Sequence, residues 1–220
     1  MTFAEYAEAW SRLHGGYSLA AASVPVRGWV RFAYGGGSRL SHLGAGPAAV
    51  TSAGLLLSLA VPFVVRSPAG LLVAGLLVIA SAVADTFDGA VAIITGKITK
   101  TGFVYDSAAD RVAEAAWLAG FWLAGVPGWL AVGCGACSWL HEYVRARAAA
   151  AGMTGLGIVT VGERPTRVGA AVGGFLLGGV LPGSATSVVL GFAGLWLLFA
   201  VVGLVQLAMA VHRALRSPPS

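Results

Sequence analysis

The chain has 220 residues, 57% of them hydrophobic and only 10% charged, with a mean hydropathy of +0.82. That balance excludes a soluble globular domain and points to a polytopic membrane protein. The formal charge of +5 suits a cytoplasmic membrane surface and phosphate-bearing ligands, and no basic-aromatic module accompanies it that would indicate nucleic acid.

Residues 2–14 predict a short amphipathic helix, with Phe3, Tyr6, Ala7 and Trp10 on one side. Glu5 and Glu8 interrupt any apolar run there, so no cleavable signal peptide is expected. Arg27, Trp29, Arg31, Phe32, Tyr34 and Arg39 mix basic and aromatic residues, as in a helix lying at a membrane interface. Residues 1–43 are therefore expected to form an interfacial segment, with Gly35–Gly37 as a flexible break.

Six apolar stretches follow: 47–65, 69–94, 103–125, 129–148, 168–181 and 188–211. The expected fold is an all-α integral membrane protein of six transmembrane helices plus the N-terminal amphipathic helix. The membrane domain covers 44–213 and a frayed tail covers 214–220. The many glycines, 32 in all, suit close helix packing in a bilayer. Cys134 and Cys137 lie inside one apolar stretch and read as small packing residues.

Six spans place both termini on one side. Arg66 is the only Lys or Arg in the three short loops of the other side. The positive-inside rule then puts both termini and the polar loop 152–164 in the cytoplasm, in a multi-pass plasma-membrane protein.

Four acids stand out in this acid-poor chain. Asp85 and Asp88 sit at i, i+3, and Asp106 and Asp110 at i, i+4, so each pair shares one helix face. Carboxylates bordering hydrocarbon are costly unless a positive charge lies between them. Hard oxygen ligands suit Mg2+ or Mn2+, and two such ions could neutralise a diphosphate, polarise its oxygens and orient an attacking hydroxyl. Gly89, directly after Asp88, fits close backbone approach to a ligand, and Gly102 fits tight packing of the second and third spans.

Asp85, Asp88, Gly89, Ala92, Gly102, Asp106 and Asp110 stand at the spacing D-x2-D-G-x2-A-R-x8-G-x3-D-x3-D. This resembles the signature of the CDP-alcohol phosphatidyltransferases. The signature's arginine is Ile93 here. The resemblance implies that Asp85, Asp88 and Asp106 ligate metal and that Asp110 is both ligand and general base. It further implies that Asp85, Asp88, Gly89 and Thr99 line the nucleotide side. Thr51, after Pro47-Ala48-Ala49-Val50, resembles the family's PNxxT entry to its first span, with Ala48 in place of asparagine. Lys97, or Lys100, is the candidate replacement for the charge missing at Ile93.

Tyr143–Ala148 and Gly162–Arg167 form a second cluster, YVRARA and GERPTR. Arginine suits bidentate contact with phosphate, so these residues would select a phosphorylated acceptor. They resemble the YxRARAE and xERxER stretches of bacterial phosphatidylinositol-phosphate synthases, which implies acceptor binding by Arg145, Arg164 and Arg167. Glu142 reads as an arginine partner, and Arg111 as a partner of Glu114 or an aspartate.

The expectation is an integral membrane transferase, often dimeric in the family it resembles. It would move a phosphatidyl group from CDP-diacylglycerol to a polar alcohol acceptor and release CMP. An inositol phosphate is the first choice of acceptor, with glycerol 3-phosphate or another polyol phosphate open. A non-catalytic nucleotide-lipid binder or assembly partner is the alternative that Ile93 favours. A transporter fits less well, because the acids cluster near one membrane face.

Overall fold

The computed structural model describes residues 1–153 and 159–216. Part of the predicted 152–164 loop (154–158) and the last four residues of the predicted tail lie outside the described residues. Every regular element described is helical: α1 Phe3–Leu13, α2 Val24–His42, α3 Pro47–Val64, α4 Pro68–Thr95, α5 Lys100–Leu123, α6 Gly128–Ala150, α7 Arg164–Val180 and α8 Ala185–Arg216. A 3-10 turn, Pro182–Ser184, precedes α8.

A helix occupies each of the six stretches expected to span. Three are long and apolar enough to cross a membrane: α3, α4, and α8 with its preceding turn. The others fall short for visible reasons. Helix α5 carries Asp106, Asp110, Arg111 and Glu114, α6 ends in HEYVRAR, and α7 has only 17 residues. Leu190, Leu195, Leu198, Val202 and Val205 stay exposed on α8, an apolar surface that suits lipid.

The chain divides into two compact units, one of residues 1–56 and 80–110 and one of 57–79 and 111–220.

In the first unit, Thr2 and Glu5 cap α1 reciprocally. Glu5 Oε2 accepts from Thr2 N at 2.7 Å, and Thr2 Oγ1 accepts from Glu5 N at 3.4 Å. Those bonds hold the Glu5 carboxyl below its ordinary range. The apolar side of α1 packs inward: Tyr6, Val30, Ala33, Ala90 and Ile93 form one buried cluster joining α1, α2 and α4. Burial there pushes the Tyr6 hydroxyl up to about 12.

The expected break at Gly35–Gly37 is absent, since α2 runs through it. The glycines serve packing instead. A Cβ on Gly36 would meet the Phe87 ring at 2.2 Å, and one on Gly37 would meet Ala90 Cβ at 2.6 Å. Helix α2 thus lies directly on α4, which only glycine permits. Gly37→Ala should push α2 off α4 and cost about 1–3 kcal/mol, the usual cost of overpacking. A lowered melting temperature in detergent would show it.

In the second unit, α6 and α7 both pack on α8. Its core is aromatic. Phe121 meets Phe175 edge-on at 4.8 Å and Trp196 at 6.2 Å. Trp117 and Trp196 are fully buried, and their indole N–H groups donate to Ser58 Oγ and Ser138 Oγ, each at 3.0 Å. A buried indole needs such an acceptor, and small serines supply it without parting the helices. Cys134 and Cys137 are free thiols. Cys134 is buried, with Sγ donating to Ala193 O at 3.4 Å.

Candidate active site

Helix α4 ends at Thr95, and Gly96, in the left-handed region at φ +66°, reverses the chain. Lys97 N closes that end by donating to Ala92 O at 2.9 Å. Thr99 then caps α5, its Oγ1 accepting from Gly102 N at 3.0 Å. A Cβ on Gly102 would sit 2.9 Å from that Oγ1. The glycine therefore protects a local cap, whereas tight packing of two spans was the expectation. This short turn sets the acids of α4 beside those of α5.

Three of the four predicted aspartates converge. Carboxylate oxygens of Asp85, Asp88 and Asp106 all lie within 4.8 Å of one another. Asp88 is the most enclosed, at 6% exposed, while Asp85 and Asp106 are half-buried. Thr51, on α3, donates to Asp88 Oδ2 at 2.6 Å. Tyr105, next to Asp106, shares a 2.8 Å hydrogen bond with Ser52, so two adjacent α3 residues tie that helix to α4 and to α5. Asp110 is half-buried one turn further along α5 and is not part of the converging set.

Oxygens around Mg2+ at about 2.1 Å, or Mn2+ slightly further, stand up to about 4.2 Å apart across the ion. Three carboxylates already within 4.8 Å, with Thr51 fixing one oxygen, fit a hard divalent cation.

A cavity of about 600 Å3 opens on this group. Thr51, Asp88, Gly89, Lys97, Thr99 and Asp106, all predicted from sequence, line it. Gly89 is exposed there, and a Cβ on it would meet nothing within 4 Å. Ile93 borders the cavity too but is 8% exposed and packed with Tyr6 and Val30. Lys97 lies past the end of α4, so it reaches the cavity from the turn and not from the next turn of helix. Lys100 opens α5 and is exposed.

The second unit holds the predicted arginines. Arg167 is 1% exposed. Its Nη1 donates to Glu114 Oε1 and Oε2 at 2.8 and 3.0 Å, its Nη2 to Glu142 Oε1 at 2.5 Å, and its Nε to Gly162 O at 2.9 Å. Arg111 adds bonds to Glu114 at 3.0 Å and Glu142 at 3.3 Å, as the sequence led one to expect for both. Arg145 pairs with Glu163, which also accepts from Thr160 N and Oγ1 at 3.0 Å. Arg164 is half-buried at the start of α7. A phosphate reaching Arg167 would have to displace a carboxylate. Arg145 and Arg164 are the more accessible of the three.

The sequence model of the CDP-alcohol phosphatidyltransferases matches residues 45–216. The chain belongs to that family. The transferase is 34% identical over 135 residues to the archaetidylinositol phosphate synthase of Pyrococcus horikoshii, covering 58% of this chain and 69% of that one. It is 35% identical over 95 residues to the synthase of that name from Aeropyrum pernix, covering 42% of this chain and 49% of the other. Among solved structures it resembles the Mycobacterium tuberculosis phosphatidylinositol phosphate synthase with CDP-DAG bound, at TM-score 0.68 and 22% identity over 86% of this chain and 99% of that one. The manganese and citrate complex of the same synthase aligns at TM-score 0.64 and 24% identity, covering 84% and 91%.

Family membership makes the transferase a membrane enzyme of phospholipid synthesis, which sets aside the transporter and the non-catalytic binder. Its match begins at residue 45 and leaves out α1 and α2. Sequence reasoning missed Ser52, Tyr105, Trp10, His14 and Trp29 around the cavity and its braces. Trp10, His14 and Trp29 lie more than 50 residues before Asp88, and nothing in the spacing of Ser52 and Tyr105 shows that they pair with each other.

Proposed function

We propose that this transferase moves a phosphatidyl group from CDP-diacylglycerol to a hydroxyl of an inositol-phosphate-like acceptor, with Mg2+ or Mn2+, as two ions, held by Asp85, Asp88, Asp106 and Asp110. The observation that carries it is the convergence of three carboxylates, with a threonine donor on one of them, at the edge of a cavity of small-molecule size. Support for the substrate comes from the mycobacterial synthase, whose structure holds CDP-DAG. Support for the acceptor comes from the inositol phosphate named in the relatives' products.

Bound metal would supply Lewis-acid neutralisation of the diphosphate. The chain's own residues do the rest. Asp110 takes the proton of the acceptor hydroxyl. The hydroxyl oxygen bonds to the phosphorus bearing the diacylglycerol. The bridging P–O bond breaks, and CMP leaves with its electron pair. Lys97 and Thr99 serve the nucleotide phosphates, Lys97 supplying charge that Ile93 does not. Arg145 and Arg164 bind the acceptor's phosphate. Arg167 belongs to this set through the carboxylates it holds, and contacts phosphate only on exchanging one of them. All six helices from α3 to α8 span the plasma membrane, α1 and α2 lie at its cytoplasmic face, and the enzyme works as a homodimer.

Gly89 gives a test that separates chemistry from folding. Gly89→Ala adds a Cβ where the fold has room, and gains about 1 kcal/mol of helix propensity. Its melting temperature should hold or rise. CMP release should fall roughly tenfold or more, because the methyl displaces the ligand from the backbone. The acceptor is tested by supplying purified enzyme and CDP-diacylglycerol with inositol phosphate, inositol or glycerol 3-phosphate. Inositol phosphate should release CMP fastest. A preference for unphosphorylated inositol would remove the role given to the arginines.

A further inference from the structure

The cavity beside Asp88 and Asp106 is walled on another side by α1 and α2, which the family match does not cover. They contribute aromatic and aliphatic side chains: Tyr6, Trp10 and Leu13 from α1, His14 at its C-cap, and Trp29, Val30 and Ala33 from α2. The rings of Trp10 and His14 stack at 4.1 Å with their planes 22° apart. A hydrogen bond of 2.8 Å between His14 Nδ1 and Trp10 O fixes the pair, and Tyr17 meets the indole edge-on at 6.2 Å. Trp10 is half-buried against the Tyr6–Val30 cluster and His14 is exposed, and both rings line the cavity, so ring surface of the stacked pair faces it. Ile93 is part of the packing that places α1 there. Its aliphatic side chain packs with Tyr6, Val30, Ala33 and Ala90, fastening α1 and α2 to α4 next to the aspartates.

One cavity therefore offers carboxylates suited to a metal-bound diphosphate, a lysine, and an oriented pair of rings. A nucleoside diphosphate has matching parts: an anionic pyrophosphate and a planar base. We propose that the Trp10–His14 pair is a stacking platform for the pyrimidine base of the nucleotide substrate, which makes α1 a specificity element of the active site. This rests on the phosphatidyl-transfer reading above. A flat π surface suits a base better than it suits an acyl chain, which has the bilayer to occupy.

The experiment measures binding of CDP, of CDP-diacylglycerol and of inorganic pyrophosphate to the purified full chain with Mn2+, in wild type, Trp10→Ala and Trp10→Phe. Base–aromatic stacking predicts that Trp10→Ala weakens CDP about tenfold. Pyrophosphate, having no base, should change less than about twofold, and Trp10→Phe should restore most of the CDP affinity. Equal weakening of both ligands would reduce Trp10 to a packing residue and overturn the platform, as would no change in either. Weaker CDP-diacylglycerol with unchanged CDP would overturn it in favour of an acyl chain. A wild-type protein that binds neither CDP nor CDP-diacylglycerol would overturn the transfer reading itself and the platform with it.

Discussion

Asp88→Asn is expected to abolish measurable CMP release while leaving the fold intact. Asparagine has the shape of aspartate, and its side-chain oxygen can still accept from Thr51. What changes is charge and ligation. One of three converging carboxylates becomes neutral, and one oxygen becomes an N–H2 donor directed at the place a cation would occupy. Outer-shell changes at metal sites already cost about 10–100-fold, and loss of a ligand should exceed about 100-fold. The melting temperature without metal should stay level or rise, since removing one of three like charges relieves repulsion. Mn2+, which stabilises only what it binds, should raise the wild-type melting temperature and leave that of the variant nearly unmoved. Full activity in Asp88→Asn would mean that the trio holds no catalytic ion.

Arg167→Met should have the largest effect on stability. Glu114 is fully buried, and Arg167 gives it two hydrogen bonds and a full opposite charge. Removing one partner of a buried pair strands the other, at about 3–5 kcal/mol. Arg111 still reaches Glu114 at 3.0 Å, which places the loss toward the lower end of that range. The double variant Arg167→Met with Glu114→Gln should recover much of it, because the stranded charge is then gone. Thermal unfolding of the single and double variants in one detergent measures the coupling. Equal stability of Arg167→Met and wild type would show that the guanidinium is not committed to those carboxylates.

The helices were legible because long apolar runs end at Gly, Pro and charged residues, and α3 to α8 follow those punctuations closely. The acids were legible too, since i, i+3 and i, i+4 spacing fixes the face each pair shares. Which acids would meet was not, because the meeting depends on the turn at 96–99. Sequence spacing treats Asp106 and Asp110 alike, and only the fold draws Asp106 into the trio. The glycines of α2 misled for a related reason. A Gly triplet reads as a break when seen alone, and two of its members, Gly36 and Gly37, as a contact surface once Phe87 and Ala90 lie against them. Arg167 was visible as an arginine, but its partner Glu114 lies 53 residues earlier. Ile93 looked like a lost phosphate contact. In the fold it is one of the α4 residues in the buried cluster that joins α1 and α2 to α4 beside the cavity.

The most direct test is CMP release by the purified full-length protein from CDP-diacylglycerol and inositol phosphate, measured after chelation and after adding back Mn2+ or Mg2+. Metal-dependent transfer gives no release when chelated, restoration by either ion in wild type, and none in Asp88→Asn. CMP release that continues at full rate in the chelated protein would contradict it.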